Sequence, residues 1–270
     1  MKPAGPLYTS IDPTGFKLSV VVPVYNEQAT IAEILRRVAA APFRKEVIVV
    51  DDGSSDDTAA ILLALENSGR IEGPPGLENT LRVLRQQPNQ GKGAALRAGF
   101  RAATGDVVVV QDADLEYDPA DYALLIGPIL DGRADAVYGS RFIGSAPHRV
   151  LFFWHFVGNK LLTLLSNMVT NLNLTDMETG AKAFRTDVIK RIPLHAKRFG
   201  FEPEVTAKLA HMRARIYEVG CSYSGRDYAQ GKKIGLKDAF AAVYTILRNA
   251  RPRDGVPLAV EAAGARPTDA

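Results

Sequence analysis

The chain has a single cysteine, Cys221, in 270 residues. No intrachain disulfide can form, and a cytoplasmic setting is expected, because exported chains usually pair their cysteines. A dominant charge is also lacking: 33 Lys and Arg stand against 30 Asp and Glu, a formal net charge of +3. So small an excess argues against a nucleic-acid partner and leaves room for local basic patches only. No run reaches the ~18 consecutive apolar residues that a spanning helix needs. The most apolar segment, 150–169, is broken by His155, Asn159, Lys160, Ser166 and Asn167. The opening MKPAGPLYTSIDPTGFK carries two early prolines and no apolar centre, which excludes a secretory signal. The remaining proportions, 46% hydrophobic and 23% charged, suit a globular chain long enough for one full core.

Hydrophobic patterning divides the chain into an irregular lead-in (1–17), one domain (18–250) and a disordered tail (251–270) rich in Ala, Pro and Gly. Strands are expected at 18–23, 46–50, 81–84, 106–111 and 135–138, because these short β-branched runs are bounded by polar turns. Helices are expected at 27–40, from a cap at Asp56 to 67, at 93–105 and at 119–130. The alternation predicts an α/β domain with a mostly parallel, Rossmann-like sheet and helices on both faces. Beyond residue 140 the pattern changes. Residues 148–174 read as aromatic-rich amphipathic helix, 181–219 as short strands with a helix near 203–212, and 236–249 as a further helix.

In such sheets ligands gather at the carboxyl ends of the strands. Asp112 and Asp114 follow the strand ending at Gln111, and carboxylates at i and i+2 can turn toward one point as the chain leaves the sheet. Hard oxygen ligands of this kind suit Mg²⁺ or Mn²⁺ held together with substrate phosphates, and Glu116 is a candidate third ligand. Asp51, Asp52 and Gly53 follow the second strand, where a carboxylate can accept from a base or ribose and Gly53 permits a tight turn. The stretch NQGKGAALR (89–97) places glycines before a helix, where backbone N–H groups favour anions, and Lys92 and Arg97 add charge for a diphosphate. It is not GxGxxG and does not follow the first strand, so a Rossmann dinucleotide site is disfavoured.

Taken together, VVVPVYNEQATI (20–31), EVIVVDDGSSDDT (46–58), NQGKGAALRAGFRAATGD (89–106), QDADLEYDP (111–119) and YGSRF (138–142) resemble glycosyltransferase family 2, whose members have the GT-A fold. Within it the chain looks most like the polyprenyl-phosphate group, which includes dolichyl-phosphate mannose and glucose synthases. The resemblance implies a nucleoside pocket from Pro23, Tyr25, Glu27 and Asp52, and a donor metal on Asp112 and Asp114, with Ala113 between them. DMETGAKAFR (176–185) resembles a further segment of the group. Gly225, Arg226, Gly231, Lys232 and Lys233 resemble a basic segment that closes on the donor phosphates.

The mechanism implied is a single inverting displacement, with hexose leaving GDP-mannose or UDP-glucose. Catalytic candidates are Asp114, Arg141 and Arg226, with Lys232 also on the diphosphate. A lipid phosphate is largely ionised at neutral pH and needs no base, only cations, for which Arg141 and Arg149 are candidates. A sugar hydroxyl acceptor, soluble or on a polysaccharide, is the alternative; it needs a base, and Glu178, Glu202 and Glu204 offer carboxylates. Phe152, Phe153, Trp154, Phe156 and Leu161 would rest in the membrane surface, with Arg149 and Lys160 toward headgroups, making the protein peripheral on the cytoplasmic membrane face. Core packing or a homodimer partner is the competing cover. A sugar-nucleotide pyrophosphorylase would want a glycine-rich basic loop where Pro23 to Glu27 stand. The intact acids Asp52, Asp112 and Asp114 oppose a non-catalytic module.

Overall fold

A computed structural model of the chain describes residues 15–67, 71, 73–77, 79–144, 152–198, 200–226 and 236–252. Most of the expected lead-in and tail, together with Arg149, Lys232 and Lys233, lies outside the described residues. In chain order the elements are β1 (Leu18–Val24), α1 (Ile31–Ala40), β2 (Lys45–Asp51), α2 (Thr58–Asn67), β3 (Asn79–Arg85), α3 (Lys92–Ala102) and β4 (Val107–Val110). Then follow α4 (Tyr122–Leu130), β5 (Ala136–Ser140), α5 (Phe153–Thr170), β6 (Lys182–Arg185), α6 (Thr186–Arg191), α7 (Phe201–His211), β7 (Ile216–Gly220) and α8 (Leu236–Arg248).

Seven strands form one sheet in the order β3-β2-β1-β4-β6-β5-β7. Successive side chains of a strand point to opposite faces, and here both faces are covered, which is why the central strands read as unbroken Val and Ile. Leu18, Val20, Val22 and Val24 of β1 meet Ile31, Ile34, Leu35 and Val38 of α1 and Leu125 and Ile129 of α4 on one face. Val21, Ile48, Val108 and Val110 meet Leu96 and Phe100 of α3 and Phe201, Val205 and Leu209 of α7 on the other. Each such side chain withdrawn from water stabilises the fold by about 1.5–3 kcal/mol. Asp56 does cap α2: its Oδ1 accepts the Thr58 amide at 3.0 Å.

One departure from the sequence reading bears on function. The first helix begins at Ile31 rather than Glu27, because Glu27 to Thr30 form a turn in which the Thr30 and Ile31 amides both donate to the Glu27 carbonyl. That turn leaves the Glu27 side chain at a strand end. The sheet is mostly parallel, as expected, and β6 alone runs antiparallel, to both β4 and β5. The chain winds outward from β1 through β2 to β3, then returns to β4 on the other side of β1. The reversal leaves a crevice beyond the carboxyl ends of β1 and β4.

Candidate active site

A cavity of about 790 Å³ occupies this crevice, within the range of small-molecule sites. Pro23, Tyr25, Glu27, Asp52, Lys92, Asp112, Ala113, Asp114, Glu116, Arg141 and Arg226 all line it. Most of the sequence candidates therefore converge, but Gly53 and Arg97 do not. Gly53 does not line the cavity; it holds the turn after β2 at φ 77°, where an added Cβ would press on the Asn89 amide at 3.1 Å. Arg97 turns away, because Nη1 donates to the Ala196 carbonyl at 2.5 Å.

The glycine-rich stretch before α3 works differently from expectation. Two of its amides are already taken within the protein. The Asp52 carboxylate accepts Gln90 N at 2.8 Å and Gly91 N at 2.6 Å, so an anion of the protein already sits there. Added side chains at Gly91 and Gly93 would strike the backbone of Ala196 and Lys197, so these glycines permit close packing of that segment. Asn89, Gly91 and Ala95 line the cavity, and Lys92 carries the stretch's charge into it. Its Nζ lies 2.9 Å from Asp112 Oδ1 and 3.2 Å from Glu202 Oε1. Burial works against its charge, but Asp112 and Glu202 outweigh it and hold the ammonium above the usual lysine range.

Asp112 and Asp114 leave β4 side by side. Arg226 Nη2 reaches Asp114 Oδ2 at 2.9 Å, and its Nη1 reaches Glu27 Oε2 at 3.4 Å. Arg226 Nε is buried without a hydrogen bond, 3.8 Å from Glu116 Oε1. Asp114 is pushed up to about 7 by burial, by Asp112 and by Glu116, against the pull of Arg226. The acid cluster is thus short of positive charge. Two hard carboxylates with that shortage fit a Mg²⁺ or Mn²⁺ whose other ligands are phosphates and water. Both oxygens of Glu116 are also engaged within the protein: Oε1 accepts Arg226 N at 2.8 Å and Oε2 accepts the Tyr223 hydroxyl at 2.9 Å. Among the described residues no three acidic, histidine or cysteine side chains converge as a complete cage. Gly180 packs against Asp112, and a side chain there would collide with Oδ2.

Behind this pair lies a buried polar wall. Arg141 is bidentate to Asp176, with Nε to Oδ2 and Nη2 to Oδ1 both at 2.7 Å, and its guanidinium stacks 5.2 Å from the Tyr223 ring. Burial alone would raise the Asp176 carboxyl; Arg141 outweighs it and holds it down. An acceptor phosphate would thus share Arg141 with Asp176. Glu178 and Glu202 line the cavity, but Glu204 does not. Glu204 accepts the His195 and Ala196 amides and pairs with Lys208 at 2.6 Å, which makes it a clamp for that loop. Lys160 also departs from expectation: it donates to the Thr175 carbonyl at 2.9 Å instead of reaching outward. Sequence reasoning gave no role to Tyr117, Asn159 or Tyr223, which line the site. Nothing in their spacing marks them, since they arrive from three separate loops and helices.

The remaining wall is mostly apolar, with His155 and Asn159 of α5 its polar members. Trp154, Gly158 and Leu162 of α5 and Ala239 and Ala242 of α8 line it. Just outside, Phe153 and Trp154 are exposed, Trp154 by 78%, and Phe240 and Tyr244 of α8 by 75% and 62%. The fully buried residues of α5 are Thr163 and Ser166. No described helix is long and apolar enough to cross a membrane.

Residues 19–192 match the profile of glycosyl transferase family 2. An undecaprenyl-phosphate mannosyltransferase of Micrococcus luteus is 30% identical over 81% of this chain and 88% of its own length. A dodecaprenyl-phosphate galacturonate synthase of Rhizobium johnstonii is 29% identical over 90% and 69% respectively. Among solved structures, the Mycobacterium tuberculosis glucosyl-3-phosphoglycerate synthase bound to Mn²⁺, uridine diphosphate and glucosyl-3-phosphoglycerate superposes with a TM-score of 0.66 at 23% identity. That match covers 89% of this chain and 82% of that one, and it shows the GT-A fold.

Proposed function

The chain belongs to glycosyl transferase family 2, and from that premise we propose that it moves a hexose from a nucleotide-diphosphate sugar to a polyprenyl phosphate, inverting the anomeric centre. The observation that carries this reading is the two-sided cavity: acids and cations at the ends of β1 and β4, an apolar wall from α5 and α8, and exposed aromatics at its rim. The polyprenyl-phosphate acceptors named for the relatives support the apolar side.

Pro23, Tyr25 and Glu27 would bound the nucleoside, while Asp52 holds the loop before α3 in place. Asp112 and Asp114 would hold the divalent cation, which supplies positive charge to the departing diphosphate. Lys92 and Arg226 pair with these carboxylates and would turn to the phosphates when donor enters. Their charges then stand where negative charge grows in the transition state. The acceptor phosphate is its own nucleophile, since its second ionisation lies near ~6 and no base is required. Arg141, steadied by Asp176 and Tyr223, would orient it. The α5 and α8 face would rest on a membrane surface and admit the prenyl tail. No separate dimer contact is needed for this reading.

The test is transfer of labelled hexose from GDP-mannose and UDP-glucose, with Mn²⁺, to a short-chain polyprenyl phosphate and in parallel to free sugars. Labelled lipid product is expected. Product on the free sugar alone would instead establish the hydroxyl-acceptor reading.

A further inference from the structure

Two buried carboxylates are left without work by this scheme. Glu202, on α7, has a side chain only 5% exposed; Oε1 meets Lys92 at 3.2 Å, while Oε2 accepts no hydrogen bond. Glu178, on the loop before β6, buries Oε1 without a partner as well. Both residues line the cavity. A buried carboxylate oxygen with no donor is costly, and such groups in a ligand cavity are retained where a ligand satisfies them.

Their place is set by contact with the metal-site acids. Lys92 bridges Glu202 and Asp112 through one ammonium, and Gly180, two residues beyond Glu178, abuts Asp112 Oδ2. Both carboxylates therefore lie about one sugar ring from where a diphosphate on Asp112 and Asp114 would end. The charges facing them are Lys92, Lys182, Arg141, Asp112 and Asp176, with Arg198 at the rim. Of the cations, Lys182 donates to the Met177 and Thr179 carbonyls, and Arg141 is bound by Asp176. With Lys92, Lys182 and Arg141 engaged, the wall offers hydroxyls the carboxylate of Glu202 and, among the described residues, offers an incoming carboxylate no unengaged cation apart from Arg198 at the rim. Burial and Glu202 push Glu178 up to about 8, so it adds a proton to the wall and not a second full charge.

We propose that Glu178 and Glu202 form the subsite that reads the donor's hexose, accepting hydrogen bonds from its hydroxyls and rejecting a uronate. This rests on the glycosyltransferase reading above. It also separates this chain from its galacturonate-transferring relative, whose donor would bring a carboxylate to the same wall.

The test compares the wild type with Glu178→Gln and Glu202→Gln, using GDP-mannose, UDP-glucose and a UDP-galacturonate. Binding of the bare nucleoside diphosphate with Mn²⁺, and the thermal midpoint, are followed alongside. The wild type should use a neutral donor at least ~10-fold better than the uronate. Each variant should lose about 10- to 100-fold in kcat/KM for the neutral donor, as expected for hydrogen bonds to a charged group. Nucleoside diphosphate affinity should stay within about twofold, and the ratio of uronate to neutral turnover should rise. A wild type that prefers the uronate would overturn the proposal, as would an equal loss on both donors with unchanged selectivity. If a glutamine variant does not fold, the wild-type donor preference still decides. Failure of the wild type to bind any nucleoside diphosphate would instead strike the underlying glycosyltransferase reading.

Discussion

Asp112 and Asp114 differ in their surroundings although they are two residues apart. Asp112 is answered by Lys92, and Asp114 sits in a surplus of negative charge that Arg226 only partly offsets. Asp112→Asn and Asp114→Asn should each lower turnover by at least ~100-fold in a donor-hydrolysis or transfer assay, the scale of a lost transition-state charge partner. Because Asp114→Asn removes a buried, repelled charge, the melting temperature of the metal-free variant should not fall. A second acid, far from the site, controls acid stability. Burial would raise the Glu46 carboxyl, but hydrogen bonds from Lys17, Ser19 and Thr104 outweigh it and bring it to about 2. Its folded value lies below the unfolded one, so the stabilisation is full above pH ~4.5 and disappears as pH falls toward about 2. Glu46→Gln should remove about 2 kcal/mol at pH 7 and flatten the loss between those limits, read from urea melts at a series of pH values. The site acids and cations were readable one by one, since strand ends and residue types mark them. The pairing of Lys92 with Glu202, or of Arg141 with Asp176, was not, because each joins segments 35 or more residues apart.

At the scale of elements, α5 departs most from an ordinary surface helix. It buries Thr163 and Ser166 and turns Phe153, Trp154, Leu161, Leu164 and Met168 outward. Thr163 Oγ1 accepts the Met177 amide at 3.1 Å, which ties the polar side to the loop carrying Asp176 and Glu178. The outward face continues into Phe240, Tyr244 and Leu247 of α8. Trp154 is the chain's one tryptophan, so its fluorescence reports on this helix alone. Emission should shift to the blue on adding vesicles containing anionic lipid, and a Phe153→Ser/Leu161→Ser variant should shift less. Unchanged emission, with a dimer on size exclusion, would assign the face to a second copy instead. The sequence identified the segment as amphipathic. It could not say which side faces the core, because aromatic residues serve equally for packing and for a membrane surface.

For the molecule as a whole, donor binding would join β1, β4, the loop before α3 and the segment carrying Arg226. A cognate nucleotide sugar with Mn²⁺ at about 100 times Kd should stabilise the protein by ~2.7 kcal/mol, a rise of roughly 5–10 °C in melting temperature. A chelator should abolish most of that rise if the cation completes the site. The α/β class, the order of the early elements and the site acids follow from the sequence alone, because strand period, turn chemistry and carboxylate spacing are local properties. Tertiary structure decided the rest. It set β6 antiparallel between β4 and β5, took the amides before α3 for Asp52, turned Arg97 and Lys160 away, and left Glu178 and Glu202 partly unanswered. The reason is physical: whether a charge is paired, and whether a donor is free for a ligand, depends on which distant segment the packed core brings against it.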